Sequence, residues 1–399
     1  MGRKVMISFL GVADYSKILY TFNSGLKEKK REVIYVQEAI IDFFCQDFKN
    51  GKDKVFIFST KQAFDKHWEN LQKAIQRVND TVYVQKKVVV VEDIWNTISS
   101  IVEVVELEDE LIFDVTHSFR TLPMLSMVLM PYLRTTKKIS IRGIYYGAYE
   151  ARKEGEKGFS APIWNLNALV DLQTWSTNIE FFLKSGNAFL LSEQISKESS
   201  YKKLADLLST FSKYIQAAQG KEIYRGDVMV EIRKELSKIY SNSFDKRRTS
   251  IAPENTMLSP LLEELKNVFS LYEKNSIYNG FLAVHWCISK GLVPQAAILL
   301  YESFVSWVMF TFLDLSQDEV FNKSQRGWEK VKQKLKGKEY YENICSLRDK
   351  VKVRHEISHG GFINTPRSFE DIVREVQNSY DKVRIFVKKI SSKKLPTLK

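Results

Sequence analysis

The segment VKVRHEISHGG (Val351–Gly361) sets a guanidinium, Arg354, five residues before an imidazole, His359. His355 follows the arginine directly, and Gly360 and Gly361 offer a helix stop. These side chains suit RNA cleavage. Attack by the RNA's own 2′-hydroxyl needs a base near that hydroxyl, an acid near the departing 5′-oxygen and a cation beside the phosphorane. Histidine titrates near neutrality and moves protons. Arginine keeps its charge and suits phosphate oxygens. No metal is required by this chemistry. On one ideal helix a spacing of five turns the two side chains about 140° apart. They meet if the helix frays at the glycines or if the motif is doubled by a second protomer, so a composite site in a homodimer is expected. The alternative is structural, with Arg354 paired to a neighbouring helix and His359 at a helix C-terminus. A lone acid, Glu302, lies in the apolar run AAILLYESFVSWVMFTFL (Ala296–Leu313). A buried carboxylate needs a cationic partner, and Arg354 is the candidate.

A second set of polar side chains stands where strand-like runs end. VMISFLG (Val5–Gly11) leads into Asp14, Tyr15 and Ser16. KVFIFST (Lys54–Thr60) leads into Lys61, and ELIFDV (Glu110–Val115) leads into Thr116, His117, Ser118 and Arg120. In an open parallel sheet, ligands bind outside the carboxyl ends of the strands. Hydroxyls, a guanidinium and the N–H groups of a following helix suit a phosphate or nucleotide. No G-x-G-x-x-G fingerprint is present, so a dinucleotide cofactor is not indicated, and no other cofactor or metal is expected. The plainer reading makes Thr116 or Ser118 a helix cap, pairs Arg120 with a carboxylate, half-buries His117 and leaves Asp114 to fix the loop.

The elements that position these groups fall into two kinds. Up to about residue 150, apolar runs alternate with helical periodicity: strands at Val5–Gly11, in Glu32–Phe44 (running into a helix), and at Lys54–Thr60, Lys86–Val91, Glu110–Val115 and Ile139–Ala151. Helices are expected at Lys61–Val78, Ile94–Val105 and Leu122–Arg134. That pattern predicts an α/β Rossmann-like domain with a mostly parallel sheet covered on both faces. From Pro162 onward the periodicity is helical, with the last helices around Gly327–Leu335, Glu339–His359 and Phe369–Ile390. An all-α C-terminal domain is therefore expected. The boundaries read as 1–160 for the sensor-like domain, 161–280 for a helical connecting region and 281–399 for the domain holding Arg354. RKEGEKGFSAP (Arg152–Pro162) reads as a hairpin tip or linker.

The chain has 399 residues, 60 basic against 48 acidic, and a net charge of +12. Two domains and a polyanionic partner fit that length and balance. Cys45, Cys287 and Cys345 are too few and too scattered for a disulfide framework, which suits the cytoplasm. The run Ala296–Leu313 is read as a core helix rather than a membrane span, because a carboxylate at mid-span is costly. The basic stretch from Lys323 to Lys352, with Trp328, Tyr340 and Tyr341 interleaved, could track an RNA backbone while the aromatics stack on splayed bases.

DVTHSFRTLP (Asp114–Pro123) resembles the D-[IV]-T-H-[GS]-F-R-x-x-P signature of CRISPR-associated Rossmann-fold (CARF) proteins, with Ser118 where Gly is more usual. IRGIYYGAYEA (Ile141–Ala151) resembles the strand that follows in that family, and APIWNLNALVDLQTW resembles its passage into the helical part. The resemblance implies a dimer that binds cyclic oligoadenylate at its two-fold axis through the strand-end loops. Gly11, Asp14, Tyr15, Ser16, Thr60, Lys61, Thr116, His117, Ser118 and Arg120 are the candidates for that contact. The second half resembles HEPN ribonucleases: R-x(4–6)-H, a polar residue after the arginine, and an acid on an earlier helix. That implies catalytic roles for Arg354, His359, Glu302 and His355. A CARF-like half before a HEPN-like half matches the ancillary ribonucleases of type III CRISPR systems. It implies metal-independent cleavage of single-stranded RNA to 2′,3′-cyclic phosphate and 5′-hydroxyl ends, with cyclic oligoadenylate as allosteric activator and no membrane partner. Two other functions fit the same residues: a non-catalytic sensor that binds nucleic acid, and a ring nuclease that degrades the activator.

Overall fold

A computed structural model describes residues 2–23, 27–49, 51–90, 93–117, 122–155, 158–196, 201–243, 253–313, 315, 319–320, 324–358 and 367–398. The chain divides into two units, Met1–Asp171 and Leu172–Lys399.

Unit 1 is built on strands β1 (Lys4–Phe9), β2 (Ile18–Asn23), β3 (Glu28–Val33), β4 (Lys54–Ser59), β5 (Tyr83–Val88), β6 (Glu110–Asp114), β7 (Ser140–Gly147), β8 (Lys153–Gly155) and β9 (Gly158–Asn165). They form one sheet in the order β3-β2-β9-β7-β6-β1-β4-β5, with β8 on β9. The run from β7 to β5 is parallel. Its middle strands are buried on both faces because alternate side chains enter different cores. Val5, Ile7 and Phe9 of β1 join Phe56 and Phe113 on one side, with Ile101, Leu129 and Leu133. Met6 joins Ile57 and Ile112 on the other, with Ile40, Leu71 and Ile75. The helices supplying these covers are α1 (Val36–Phe44), α2 (Lys61–Val78), α3 (Ile94–Val104) and α4 (Leu122–Lys137). Each large aliphatic side chain buried this way contributes about 1.5–3 kcal/mol before entropy is counted.

Several strands depart from the sequence reading, which has none at β2. The strand placed in Glu32–Phe44 is the second arm of an antiparallel hairpin, β2–β3. β3 reads EKKREV and is mostly exposed at the sheet edge, so no apolar alternation marks it. β9 lies between β2 and β7 and continues past Pro162, where only helix is expected from the sequence. β5 starts at Tyr83, ahead of the valine run.

Unit 2 is helical. After α5 (Asn167–Ser185), in which the division falls, come α6 (Phe189–Ser196), α7 (Lys202–Gln216), α8 (Gly220–Arg225), α9 (Asp227–Ser243), α10 (Pro253–Val268), α11 (Tyr278–Ser289), α12 (Val293–Leu313), α13 (Ser324–Leu335), α14 (Tyr341–Lys350), α15 (Arg354–Ser358) and α16 (Phe369–Ser391). A single apolar core joins side chains from Trp175 to Leu395. α12 is its central helix: Leu300, Phe304, Trp307 and Val308 are fully buried, and α11, α13, α15 and α16 pack on it. By length and composition alone α12 could cross a bilayer; here most of its apolar residues are in this core.

The helix expected over Glu339–His359 is broken. α14 ends at Lys350, a 3₁₀ turn covers Val351–Val353, and α15 begins at Arg354. Val351 and Val353 are buried and β-branched, which favours core packing over helix continuation. The Ser379 hydroxyl of α16 donates to the Lys350 carbonyl at the break, at 3.3 Å. Arg354 therefore heads a new helix instead of lying inside a long one.

Candidate functional site

In unit 1 the parallel register carries the ends of β1, β4 and β6 to one edge of the sheet. The Ser8 hydroxyl donates to Asp114 Oδ2 at 2.6 Å, and the Thr116 N–H donates to Asp114 Oδ1 at 3.0 Å. Thr116 Oγ1 accepts the Gly147 N–H at 2.7 Å, tying the loop after β6 to the end of β7. Asp114 is wholly buried, and burial pushes its carboxyl above the ordinary range against these donors. Gln37 of α1 donates through Nε2 to the Phe9 carbonyl at 2.8 Å.

Tyr15 folds back over β1. Its hydroxyl accepts the Gly11 N–H at 2.8 Å and lies 3.2 Å from the Gly11 carbonyl oxygen. Its ring stands edge-on to His67 and His117, with centroids 4.9 and 4.8 Å away, and tilts against Tyr35 at 5.0 Å. Burial pushes the Tyr15 phenol up to about 12. Burial also pushes the His117 imidazole down to about 4, so it is neutral at physiological pH. Asp14 is 89% exposed and pairs with Lys66 at 2.6 Å, and Lys66 also donates to the Val12 carbonyl. Thr60 caps α2 by accepting the Ala63 N–H at 3.3 Å. Ser16 and Lys61 are exposed. Ser118 and Arg120 lie outside the described residues.

The sequence reading missed His67, Tyr35 and Lys66 in this cluster. His67 carried a usable signal. It occupies the apolar face Ala63, Phe64, His67, Leu71, Ile75 of α2, where a polar ring is out of place. Its Nε2 is buried with no hydrogen-bond partner among the described residues.

In unit 2, Arg354 Nη1 donates to Glu302 Oε1, and its guanidinium lies over the Tyr301 ring, 3.6 Å from the centroid. Neighbours on α12 thus hold the arginine from two directions, by charge and by π-face. The side chains are 33% and 39% exposed, so Glu302 is not the buried carboxylate the apolar run suggests: it sits at the rim of the core helix. His355 is exposed. His359 lies outside the described residues.

Of the aromatic residues interleaved in the basic stretch, Trp328 and Tyr340 are engaged in packing contacts. Trp328 is only 6% exposed and is covered by the Arg348 guanidinium at 4.4 Å. Tyr340 packs against Phe312 and Phe386. Lys332, Lys334, Lys336 and Lys338 are exposed, and Lys332 pairs with Glu329 at 3.0 Å.

The chain resembles known proteins over part of its length. Residues 171–274 match the family model for the second domain of CRISPR-associated protein MJ1674. The curated CRISPR-associated protein MJ1674 of Methanocaldococcus jannaschii is 22% identical over 317 residues, 73% of this chain and 46% of that protein. The chain is thus similar to CRISPR-associated proteins. It matches a stretch amounting to just under half the length of that curated relative. A solved structure, Enterococcus italicus Csm6 bound to cyclic hexa-2′-fluoro-hexa-dAMP, aligns over 98% of this chain and 95% of that one, at 12% identity and a TM-score of 0.36, too low to carry an argument.

Unit 1 presents a hydrogen-bonded floor at its strand ends, built by Ser8, Asp114 and Thr116, with the Tyr15 ring packed against His117 nearby. Unit 2 presents the Arg354 guanidinium, held by Glu302 and the Tyr301 ring. Among the described residues no three His, Cys, Asp or Glu side chains gather into a metal-holding group. The neutral His117 has a measurable consequence. An unfolded histidine takes up its proton near 6.5, while the folded one resists until about 4. The stability this confers is fully present above 6.5 and is lost as pH falls through that window, on the order of 1–3 kcal/mol. Thermal melts following unit 1's transition between pH 7 and 4 should show the loss, and His117→Gln should flatten it. Equal slopes for both proteins would contradict the assignment.

Proposed function

We propose that the chain is a metal-independent endoribonuclease of type III CRISPR antiviral defence, activated by cyclic oligoadenylate and working as a homodimer in the cytoplasm. The observation that carries this reading is the Arg354 guanidinium, clamped by Glu302 and Tyr301 yet open to solvent, at the head of the helix that begins the R-x4-H motif. Its side chain is 33% exposed, and a planar guanidinium fits phosphate geometry. We assign residues 281–399 to catalysis.

In the reaction, the 2′-oxygen of the RNA bonds to phosphorus as its proton leaves, and the phosphorus–O5′ bond breaks as that oxygen gains a proton. His359 serves these proton transfers. Arg354 neutralises the phosphorane, Glu302 aims Arg354, and His355 stands next to the path. Doubling by two-fold symmetry supplies a second histidine for the acid role. At the CARF unit, cyclic oligoadenylate occupies the strand-end loops through Gly11, Asp14, Tyr15, Ser16, Thr60, Lys61, Thr116, His117, Ser118 and Arg120. The activator must bind the cutting-competent state better than the idle one, or it shifts nothing.

The test is the chemistry of the cut ends. Labelled single-stranded RNA, incubated with the chain and cyclic tetra- or hexa-adenylate in EDTA, should give 2′,3′-cyclic phosphate and 5′-hydroxyl products. Products with 5′-phosphates would overturn the mechanism. RNA retained without cutting would favour the non-catalytic sensor, and steady loss of the activator would favour the ring nuclease.

A further inference from the structure

Glu302 belongs to two features at once. It holds Arg354, and it lines a cavity of about 190 Å³ within the helical unit. Tyr224, Ile277 and Val320 supply apolar wall, and exposed Lys221 stands on the lining beside Gly220. Ser306, one turn along α12 from Glu302, also lines it, so a carboxylate and a hydroxyl share one helix face there. The volume is below the roughly 300–1,000 Å³ of sites for drug-sized ligands, which suits a single ring system.

We propose that this cavity receives one nucleobase of the RNA, next to the phosphate held by Arg354, and that it favours bases with an exocyclic amino group (adenine, guanine, cytosine) over uracil. The inference rests on the ribonuclease reading and adds a specificity subsite to it. A carboxylate only accepts hydrogen bonds, so Glu302 welcomes an amino edge. Uracil offers a single N–H flanked by two carbonyl oxygens, which a carboxylate repels. The apolar wall and the Tyr224 ring can cover the faces of a base drawn out of the strand. Arg354 lowers the cost of withdrawing Glu302 from water, and it joins the base pocket to the phosphate. Lys221 is placed to meet the sugar–phosphate chain at the lining's exposed side.

Gly220 gives a clean way to fill the space. A Cβ there meets nothing nearer than Leu299 at 4.0 Å, so Gly220→Met can grow into the cavity without moving backbone. The full chain with cyclic tetra- or hexa-adenylate is given a random single-stranded RNA pool, and the cut ends are sequenced. Wild type should be depleted of uracil at one position flanking the cut, on the order of tenfold. Gly220→Met should level that position and slow cutting of the best RNA by a similar factor. A flat wild-type profile, or a bias that survives Gly220→Met, would overturn the proposal. Ser306→Leu fills the cavity from α12 and serves the same comparison should Gly220→Met not fold. A readout independent of cutting is saturation-transfer NMR with adenosine and uridine 3′-monophosphates. An adenosine signal that exceeds the uridine signal and shrinks in Gly220→Met supports the pocket; equal signals, or signals untouched by the substitution, overturn it. A wild type that binds adenosine in this pocket but never cuts RNA would sink the ribonuclease reading alone.

Discussion

Arg354→Ala is expected to slow activator-dependent RNA cleavage by about 10²–10³-fold, the usual loss when one preorganised partner of the developing charge is removed. The fold should survive the change. Glu302 and Arg354 are both partly exposed, and exposed ion pairs contribute only about 0–1 kcal/mol. Lysine should rescue little. A compact ammonium on a flexible stem cannot lie on the Tyr301 ring, hold Glu302 and still fork onto a phosphate. Single-turnover cleavage of labelled RNA, with melting temperature measured alongside, separates chemistry from stability. A rate for Arg354→Lys close to wild type would show that charge alone suffices and that the clamp has no catalytic meaning.

The largest structural effect is expected in unit 1. Arg3 is nearly buried and forks onto Asp109, with Nε 3.1 Å from Oδ1 and Nη2 2.8 Å from Oδ2. Its Nη1 donates to Glu106 at 2.7 Å, and Nη2 also donates to the Val104 carbonyl at 2.7 Å. Asp109 is fully buried. Removing the guanidinium by Arg3→Ala strands that carboxylate in the protein interior, at a cost of about 3–5 kcal/mol. The loss should appear in urea unfolding as an early transition of unit 1, with the helical unit's transition unmoved, since the chain divides into two compact units. Cleavage should then lose its dependence on the activator before it loses its chemistry. A single unshifted transition would mean that the cluster is worth no more than a surface pair.

Much of this arrangement is legible in the residues. The apolar runs of β1, β4 and β6 announce a parallel sheet buried on both faces, and the polar residues after them do gather at one edge of that sheet. The lone acid in α12 points to Arg354, and the two do pair. What the sequence hides has physical causes. β3 is an edge strand of charged residues, so it has no hydrophobic alternation to read. β9 contains a proline, which argues against an inner strand by local rules, yet the sheet accommodates it. The helix around Arg354 is interrupted because two valines prefer the core to helical continuity, a tertiary preference that periodicity cannot show. Tyr15 and His67 meet through folding alone, from a loop and the middle of a helix. Trp328 looks like a base-stacking platform because aromatic residues among lysines suggest nucleic acid; burial beneath Arg348 gives it a packing role instead.

On the proposed function, a filled pocket at the strand ends of unit 1 licenses the Arg354–His359 pair to break RNA. The decisive quantity is the initial rate of single-stranded RNA cleavage in EDTA, with and without cyclic oligoadenylate, for wild type beside His359→Ala. The activator should switch wild type on and leave His359→Ala silent. Cleavage by His359→Ala at the wild-type rate, or a wild type indifferent to the activator, would refute the coupling of pocket to pair.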